Sequence, residues 1–481
     1  AAGDSWTTAA APPVASIAQA SNAQAAPPVS PERLLRARQA RRITAALFVS
    51  QSLGSAGSIA AATVAAIVGA ELSGMTSLAG LPAAVVQVGT ALGALFWSRR
   101  SDVMGRRGAL TAALLTGAVG AALSLAAFAG TYSGGLGTQA NPYRISTAAD
   151  WQELTSTPDD WRAEFILTND INLTGVNVAP VGNSTTRFTG VFDGRRYAVR
   201  NATISVPDQN YIGLFGYIGA VGHVRNLGVA EVDIHGGEAV GGLVGRNHGR
   251  VDFCYVTGVV RGDDWDTGGL AGSNMGGAIH ACYADVAVTS NSEYVGGLVG
   301  YNLGDAISFS YAVGAVSGYA YVGGLVGAND QGHIIDCYST GAASGTLNNV
   351  GGFAGVNWSG SIEGCFWDIH TSGTSAGNGG QGKTTAEMQS KALYIDAGWD
   401  FEDVWTICDG LQYPKLQWQI SAADFVCPYG VGNEDFAVLS RCWLVNVSLL
   451  PPDSLCYAAD LDGDGVVELS DLLLFADQWL R

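Results

Sequence analysis

The sequence predicts a mainly β chain: a parallel β-solenoid of about 27–28-residue coils, with three transmembrane helices before it and a small α-helical domain after it. Three observations predict this. A glycine phrase returns six times at nearly constant spacing. Three charge-free stretches precede residue 131. An acidic loop close to the C-terminus leads into an apolar segment of helical length. The chain divides accordingly into 1–42, 43–130, 131–420 and 421–481.

Residues 1–42 are rich in Ala, Pro and Ser and end in a basic run, Arg33, Arg36, Arg38, Arg41 and Arg42. This composition predicts disorder. Ile43 to Ala70, Leu72 to Ser98 and Gly108 to Gly130 carry no charge. Each stretch exceeds the roughly 20 residues a membrane helix needs. Basic clusters lie before the first helix and between the second and third, whereas the loop between the first and second holds only Glu71. The positive-inside rule then places the N-terminus in the cytoplasm and everything after Gly130 outside.

The glycine phrase reads Gly-Leu-Phe-Gly at Gly213–Gly216 and then Gly-Gly-Leu-Val-Gly or a close variant, ending at Gly245, Gly272, Gly300, Gly327 and Gly355. The closing glycines are 29, 27, 28, 27 and 28 residues apart. An asparagine follows two residues later in the last five copies: Asn247, Asn274, Asn302, Asn329 and Asn357. Further on come Cys254, Cys282, Ser310, Cys337 and Cys365, each followed by Tyr255, Tyr283, Tyr311, Tyr338 or Phe366. Val251, Ile279, Ile307, Ile334 and Ile362 stand three residues before the Cys/Ser position. The intervening segments are short and β-branched, so each coil fits about three strands joined by turns. Stacked at about 4.8 Å, such coils form parallel sheets. The asparagines then predict an amide ladder from coil to coil. The glycines provide either positive φ or close backbone approach. The cysteine column reads as buried thiols or as a Cys254–Cys282 disulfide. On an ideal strand Ile and Tyr share one face and Cys takes the other, which leaves the inward face undecided.

Asp460-Leu-Asp462-Gly-Asp464-Gly465-Val466-Val-Glu468-Leu-Ser-Asp471 has the spacing of a twelve-residue calcium loop. Asp460, Asp462, Asp464 and Asp471 occupy positions 1, 3, 5 and 12, the Val466 carbonyl position 7 and Glu468 position 9. Thirty-six residues upstream, Asp435-Phe436 and Trp443-Leu444 match Asp471-Leu472 and Trp479-Leu480. That earlier loop keeps Asp424 and Asp435, but Val426 and Pro428 stand at positions 3 and 5. The expectation is one Ca²⁺ site and one metal-free half. Cys408, Cys427, Cys442 and Cys456 are candidates for disulfides whose pairing the sequence leaves open.

These motifs resemble known families. The repeats resemble the GLUG motif of bacterial surface proteins. Gly134 to Ile145, Phe165 to Ile171 and Phe188 to Gly194 resemble the leaders of such arrays, and Gly382 to Met388 with Tyr413 to Trp418 resembles their closing segment. The resemblance implies an extracytoplasmic location and a role in adhesion or display. The acidic loop with its helix resembles a dockerin, which implies a cohesin-like partner. Ser98-Arg-Arg-Ser-Asp102-Val-Met-Gly105-Arg106-Arg107 resembles the loop between the second and third helices of major facilitator transporters. Three helices cannot build the two facing halves that transport needs. The N-terminal part therefore reads as a membrane anchor, a transporter remnant or a gene fusion before a secreted protein.

Charge fits this division. Nine arginines against four carboxylates make residues 1–130 net +5, so the remainder of a −18 chain carries −23. An acidic exterior argues against nucleic acid as a partner and leaves an extracellular polysaccharide or protein ligand. The expected function is non-catalytic display. The alternative is a polysaccharide lyase or hydrolase, for which Asp263-Asp264-Trp265-Asp266 is the best acidic turn. Its counterparts, Asn291-Ser-Glu293-Tyr294 and Gly318-Tyr-Ala-Tyr321, differ, which favours a solvated corner. The six histidines have no zinc spacing, and no phosphate loop is present.

Overall fold

The structure, a computed structural model, describes residues 132–304, 306–347, 349–451 and 454–479. The N-terminal segment 1–42 and the membrane helices expected over 43–130 lie outside these residues. Among the described residues no helix is long and apolar enough to cross a membrane.

The repeat region winds as a parallel β-solenoid. A complete coil has four strands rather than about three, as in Val240–Gly241, Val244–Asn247, Arg250–Asp252 and Tyr255–Gly262. The additional strand, two residues long in this coil, ends on the first glycine of the phrase, Gly241. Strands pair in parallel with their counterparts one coil away, giving sheets of five, six, nine and twelve strands. Parallel pairing requires a crossover, and here the remaining sides of the coil supply it. Winding begins where Tyr143–Ile145 pairs with Glu164–Leu167 and ends where Gln381–Lys383 pairs with Phe366–Asp368.

The phrase glycines act by close approach. None of Gly242, Gly245 or Gly272 has positive φ. A Cβ on Gly245 would lie 2.4 Å from the Tyr211 carbonyl carbon, and one on Gly272 would lie 2.4 Å from that of Ala239. The left-handed corners fall to other residues. One column is Tyr211, Ala239, Asp266, Tyr294, Tyr321 and Asn349; a second is Phe253, Ala281, Phe309, Asp336 and Gly364. Bulky residues rarely adopt this conformation. Hydrogen bonds between coils hold it: Phe253 N–H donates to the His280 carbonyl at 3.0 Å and Ala281 N–H to that of Ser308 at 3.0 Å.

The second corner column resolves the inward face. It stands immediately before the Cys/Ser position and reverses the alternation there. Val251, Ile279, Ile307 and Ile334 are buried, Cys254, Cys282 and Cys337 are buried as well, and the tyrosines turn to the opposite side.

Both ends of the solenoid are covered. Helix α1 (Ala148–Ser156) starts with a capping box between Thr147 and Asp150. It sets Trp151 against Phe192 and Phe215, ring centroids 5.5 and 6.3 Å away. At the far end α2 (Thr385–Met388), α3 (Lys391–Asp396) and a two-stranded pair, Trp405–Thr406 with Lys415–Leu416, form the closing segment. The C-terminal module holds α4 (Asn433–Arg441), α5 (Leu455–Ala459) and α6 (Leu469–Trp479) around the buried Phe475. Disulfides join Cys408 to Cys427 and Cys442 to Cys456.

Candidate functional site

Three side-chain columns and one loop carry the candidate chemistry. The asparagines pair in register: Asn247 with Asn274, Asn274 with Asn302, Asn302 with Asn329, and Asn329 with Asn357. Each Nδ2 donates to the next Oδ1, at 2.8, 2.8, 2.8 and 2.9 Å. The column ends as Asn357 Nδ2 donates to the Gly360 carbonyl at 2.9 Å. Asn247, Asn274, Asn302 and Asn329 are buried and Asn357 is half-buried, so the ladder holds coils together from within.

The cysteine column consists of free, buried thiols. Cys254 N–H meets the Cys282 sulfur at 3.4 Å, and Cys337 N–H meets that of Cys365 at 3.4 Å. Burial pushes the Cys254 and Cys337 thiols up, and the neighbouring thiol adds to this, so thiolate chemistry is suppressed.

The tyrosine column lies outside the solenoid core. Tyr255, Tyr283, Tyr311 and Tyr338 stack with centroids 5.1, 5.1 and 4.8 Å apart. The closing segment lies over the column in a second core containing Trp399, Trp405 and Leu416. Tyr338 O–H donates to the Pro414 carbonyl at 2.6 Å, and Trp418 Nε1–H donates to the Ala281 carbonyl at 3.0 Å. No sequence period links residues 418 and 281, so sequence reasoning missed this layer.

The acidic turn is not a uniformly solvated corner. Asp263 meets His235 at 3.0 Å on the surface, and Trp265 is exposed. Asp266 turns inward, with its carboxylate 3.9 Å from Arg246, which also holds Glu238 at 3.0 Å. Burial pushes the Asp266 carboxyl up to about 7, against the pull of Arg246. The inward turn follows from its left-handed corner, φ 65°.

In the C-terminal loop, oxygens of Asp460, Asp462 and Asp464 lie within 4.8 Å of one another. Asp471 is buried at the start of α6 and lies outside that trio. Its Oδ1 accepts from Leu461 N–H at 2.6 Å and Asp462 N–H at 3.2 Å, and its Oδ2 from Glu468 N–H at 2.7 Å. Glu468 is exposed, and the Val466 backbone bridges to Asn446. The upstream loop repeats this frame. Asp435 Oδ1 accepts from Phe425 and Val426 N–H at 2.7 and 3.0 Å, and its Oδ2 from Gly432 N–H at 2.9 Å. The duplication therefore extends to the hydrogen-bonded frame, while Val426 and Pro428 leave that loop without the side-chain oxygens of the second.

Residues 318–344 match the family model described as the GLUG motif. The chain is 38% identical over 134 residues to a protein of Evansella cellulosilytica named as a Gly-rich membrane protein. It is 32% identical over 161 residues to halomucin of Haloquadratum walsbyi, and 37% over 81 residues to the uncharacterised MFS-type transporter YdeG of Bacillus subtilis. These alignments take in 26%, 32% and 17% of this chain and span 15%, 2% and 19% of the lengths of those relatives. A solved structure described as an immunoglobulin A1 protease of Bacteroides ovatus aligns at a TM-score of 0.45 and 21% identity, covering 60% of this chain and 96% of the other. The recurring glycines, the four parallel sheets and the match over 318–344 together make this chain a β-solenoid that carries the GLUG motif.

Proposed function

We propose that this chain is a non-catalytic, extracytoplasmic surface protein in which the solenoid is a stalk for adhesion or ligand display. One observation carries the reading. The recurring residues serve structure: the apolar column, the thiols and most of the asparagine ladder are buried, the glycines pack against neighbouring backbone, and the tyrosines on the opposite face stack on one another beside the closing segment. Outward corner residues differ from coil to coil, as in the equivalent Asp264, Ser292 and Tyr319. A repeat whose recurring residues bind coil to coil is suited to a rod. The names of the relatives, a membrane protein and halomucin, support a surface location. The test is protease treatment of intact cells carrying an epitope after Gly134. Removal of the epitope is expected; full protection in intact cells with cleavage only after lysis would refute the assignment.

The C-terminal module is read as a calcium-stabilised interaction domain for a cohesin-like or other protein partner. An all-oxygen donor set with the carboxylate trio fits a hard cation. Asp460, Asp462, Asp464, the Val466 carbonyl and Asp471 would hold one Ca²⁺, with Glu468 acting directly or through water. Calcium would offset repulsion within the trio and tie α6 to the loop. At a hundredfold excess over Kd the stabilisation is about 2.7 kcal/mol. Titration calorimetry on the whole chain is expected to give one site, lost in Asp460→Ala and retained in Asp424→Ala. Two equivalent sites, or none, would overturn it.

A polysaccharide-active enzyme is the rival reading, favoured by the raised Asp266 carboxyl beside Glu238 and Arg246. Reducing-sugar release from a polysaccharide panel that disappears in Asp266→Asn would establish it, and no release is expected.

A further inference from the structure

We propose that the groove between the end of the tyrosine column and the C-terminal module binds an acidic glycan, with Tyr255 and Trp418 packing against sugar rings and Arg196 pairing with a uronate carboxylate. This deepens the display reading above and rests on it only for biological setting.

The groove measures about 570 Å³ and is lined by the solenoid, the closing segment and the module together. Its origin is visible in the register. Along this column the order is Ala198, Gly228, Tyr255, Tyr283, Tyr311 and Tyr338. The aromatic stack therefore stops at Tyr255, because Gly228 has no side chain to continue it. The Tyr255 ring leans over that glycine, where an added Cβ would lie 2.6 Å from the ring. Trp418 stands beside the last two rings, with centroids 6.5 Å from Tyr255 and 6.0 Å from Tyr283. The closing segment covers the later tyrosines but leaves Tyr255 and Tyr283 half-buried.

The lining matches one ligand chemistry. Aromatic side chains offer apolar surface to the C–H faces of a sugar ring. Gln419 is held by Tyr311 and Leu416, Ser421 donates to Gln478 Oε1, and Asn226 Nδ2 donates to Asp193 at 3.0 Å, so Asn226 Oδ1 and Gln478 Nε2 are the amide atoms left to meet hydroxyls among the described residues. No carboxylate lines the groove among the described residues, although the chain carries a net charge of −18. Arg196 is the lone charged residue of the lining; it is exposed, and its guanidinium has no ion pair among the described residues. A planar guanidinium is suited to bidentate pairing with a carboxylate. An acidic peptide of glutamates would satisfy Arg196 but would leave the aromatic floor unmatched.

The groove also meets the C-terminal module. Gln478 on α6 accepts from Ala423 N–H at 3.1 Å through Oε1, which anchors one groove wall to the helix that follows the acidic loop.

The experiment is calorimetric titration of the full chain with a galacturonate hexamer, a neutral galactose hexamer and a glutamate hexapeptide. The galacturonate oligomer is expected to bind, and to bind better than the other two. Arg196→Gln is expected to weaken it by about tenfold or more while leaving the weaker galactose titration unchanged. Arg196 is on the surface, so folding is preserved; Tyr255→Leu, checked by circular dichroism, is expected to weaken both sugars. No heat with galacturonate, tighter binding of the peptide, or unchanged affinity in Arg196→Gln would overturn the proposal. Those outcomes leave surface display standing, whereas protection of the epitope on intact cells would remove the display reading and leave the titration intact.

Discussion

Asp266 and Asn274 show how a single position can carry coil-scale consequences. The folded Asp266 carboxyl titrates near 7, well above the ordinary carboxylate range, because burial disfavours its charge; Glu238 and Asp264 add to this and Arg246 opposes it. Its favourable contribution to stability is therefore fully present below about pH 4 and is lost as the pH rises through 7. Asp266→Asn keeps a residue that tolerates the left-handed corner. It should raise Tm at pH 8, by an amount on the order of a few kcal/mol in stability, and flatten the wild-type dependence between pH 4 and 8. A variant with an unchanged pH profile would show that the carboxyl is solvated. Asn274 receives from Asn247 and donates to Asn302, both at 2.8 Å. Asn274→Ala removes a buried hydrogen bond on each side and leaves Asn247 Nδ2 only its longer contacts to the Gly249 and Ala278 carbonyls, at 3.3 and 3.5 Å. The expected cost is about 2–3 kcal/mol, measured as a shift in the denaturant midpoint.

At the scale of the element, the glycine phrase is a packing device. At Gly272 an added Cβ would meet backbone at 2.4 Å from both Ala239 and Val240, atoms that have no rotamer in which to retreat. Gly272→Ala should push adjacent coils apart and prevent soluble folding or cost several kcal/mol, on the order of severe overpacking. Gly276, at a corner with open space around it, offers a control. Gly276→Ala should cost only about 1 kcal/mol, from its positive φ. Equal effects in thermal unfolding would mean that the phrase glycines serve conformation rather than contact.

At the scale of the whole molecule, a solenoid has two open ends, and exposed parallel edges invite pairing with other chains. Helix α1 covers one end with Trp151, and the closing segment covers the other along with the tyrosine column. A chain ending at residue 380 loses the strand Gln381–Lys383 and the layer holding Trp399 and Trp405. It is expected to associate, eluting early in size-exclusion chromatography while keeping the β signature in circular dichroism. A monodisperse monomer would show that the closing segment is dispensable for solubility. The Cys408–Cys427 disulfide ties that segment to the C-terminal module, so reduction should loosen the module first.

Periodicity alone determined the solenoid, its coil length and the register of the asparagine column, because a repeat that cannot bury its own face must stack on its copies. The acidic loop and its duplicated helix were legible for a similar reason: the spacing of carboxylates within one short segment is a local property. Four matters were decided only in three dimensions. The inward face depended on a left-handed corner at Phe253 and its counterparts, among which Phe253, Ala281 and Phe309 carry no turn signature. The fourth strand of a coil runs into the first glycine of the phrase, where glycine gives little strand signal. The state and pairing of the cysteines depended on which neighbours the fold brings together. The burial of Asp266 and the groove at Tyr255 arose from contacts between residues far apart in sequence, such as Trp418 with Ala281. Spacing along a chain encodes what repeats within it, whereas a contact made once, across more than a hundred residues, leaves no period to read.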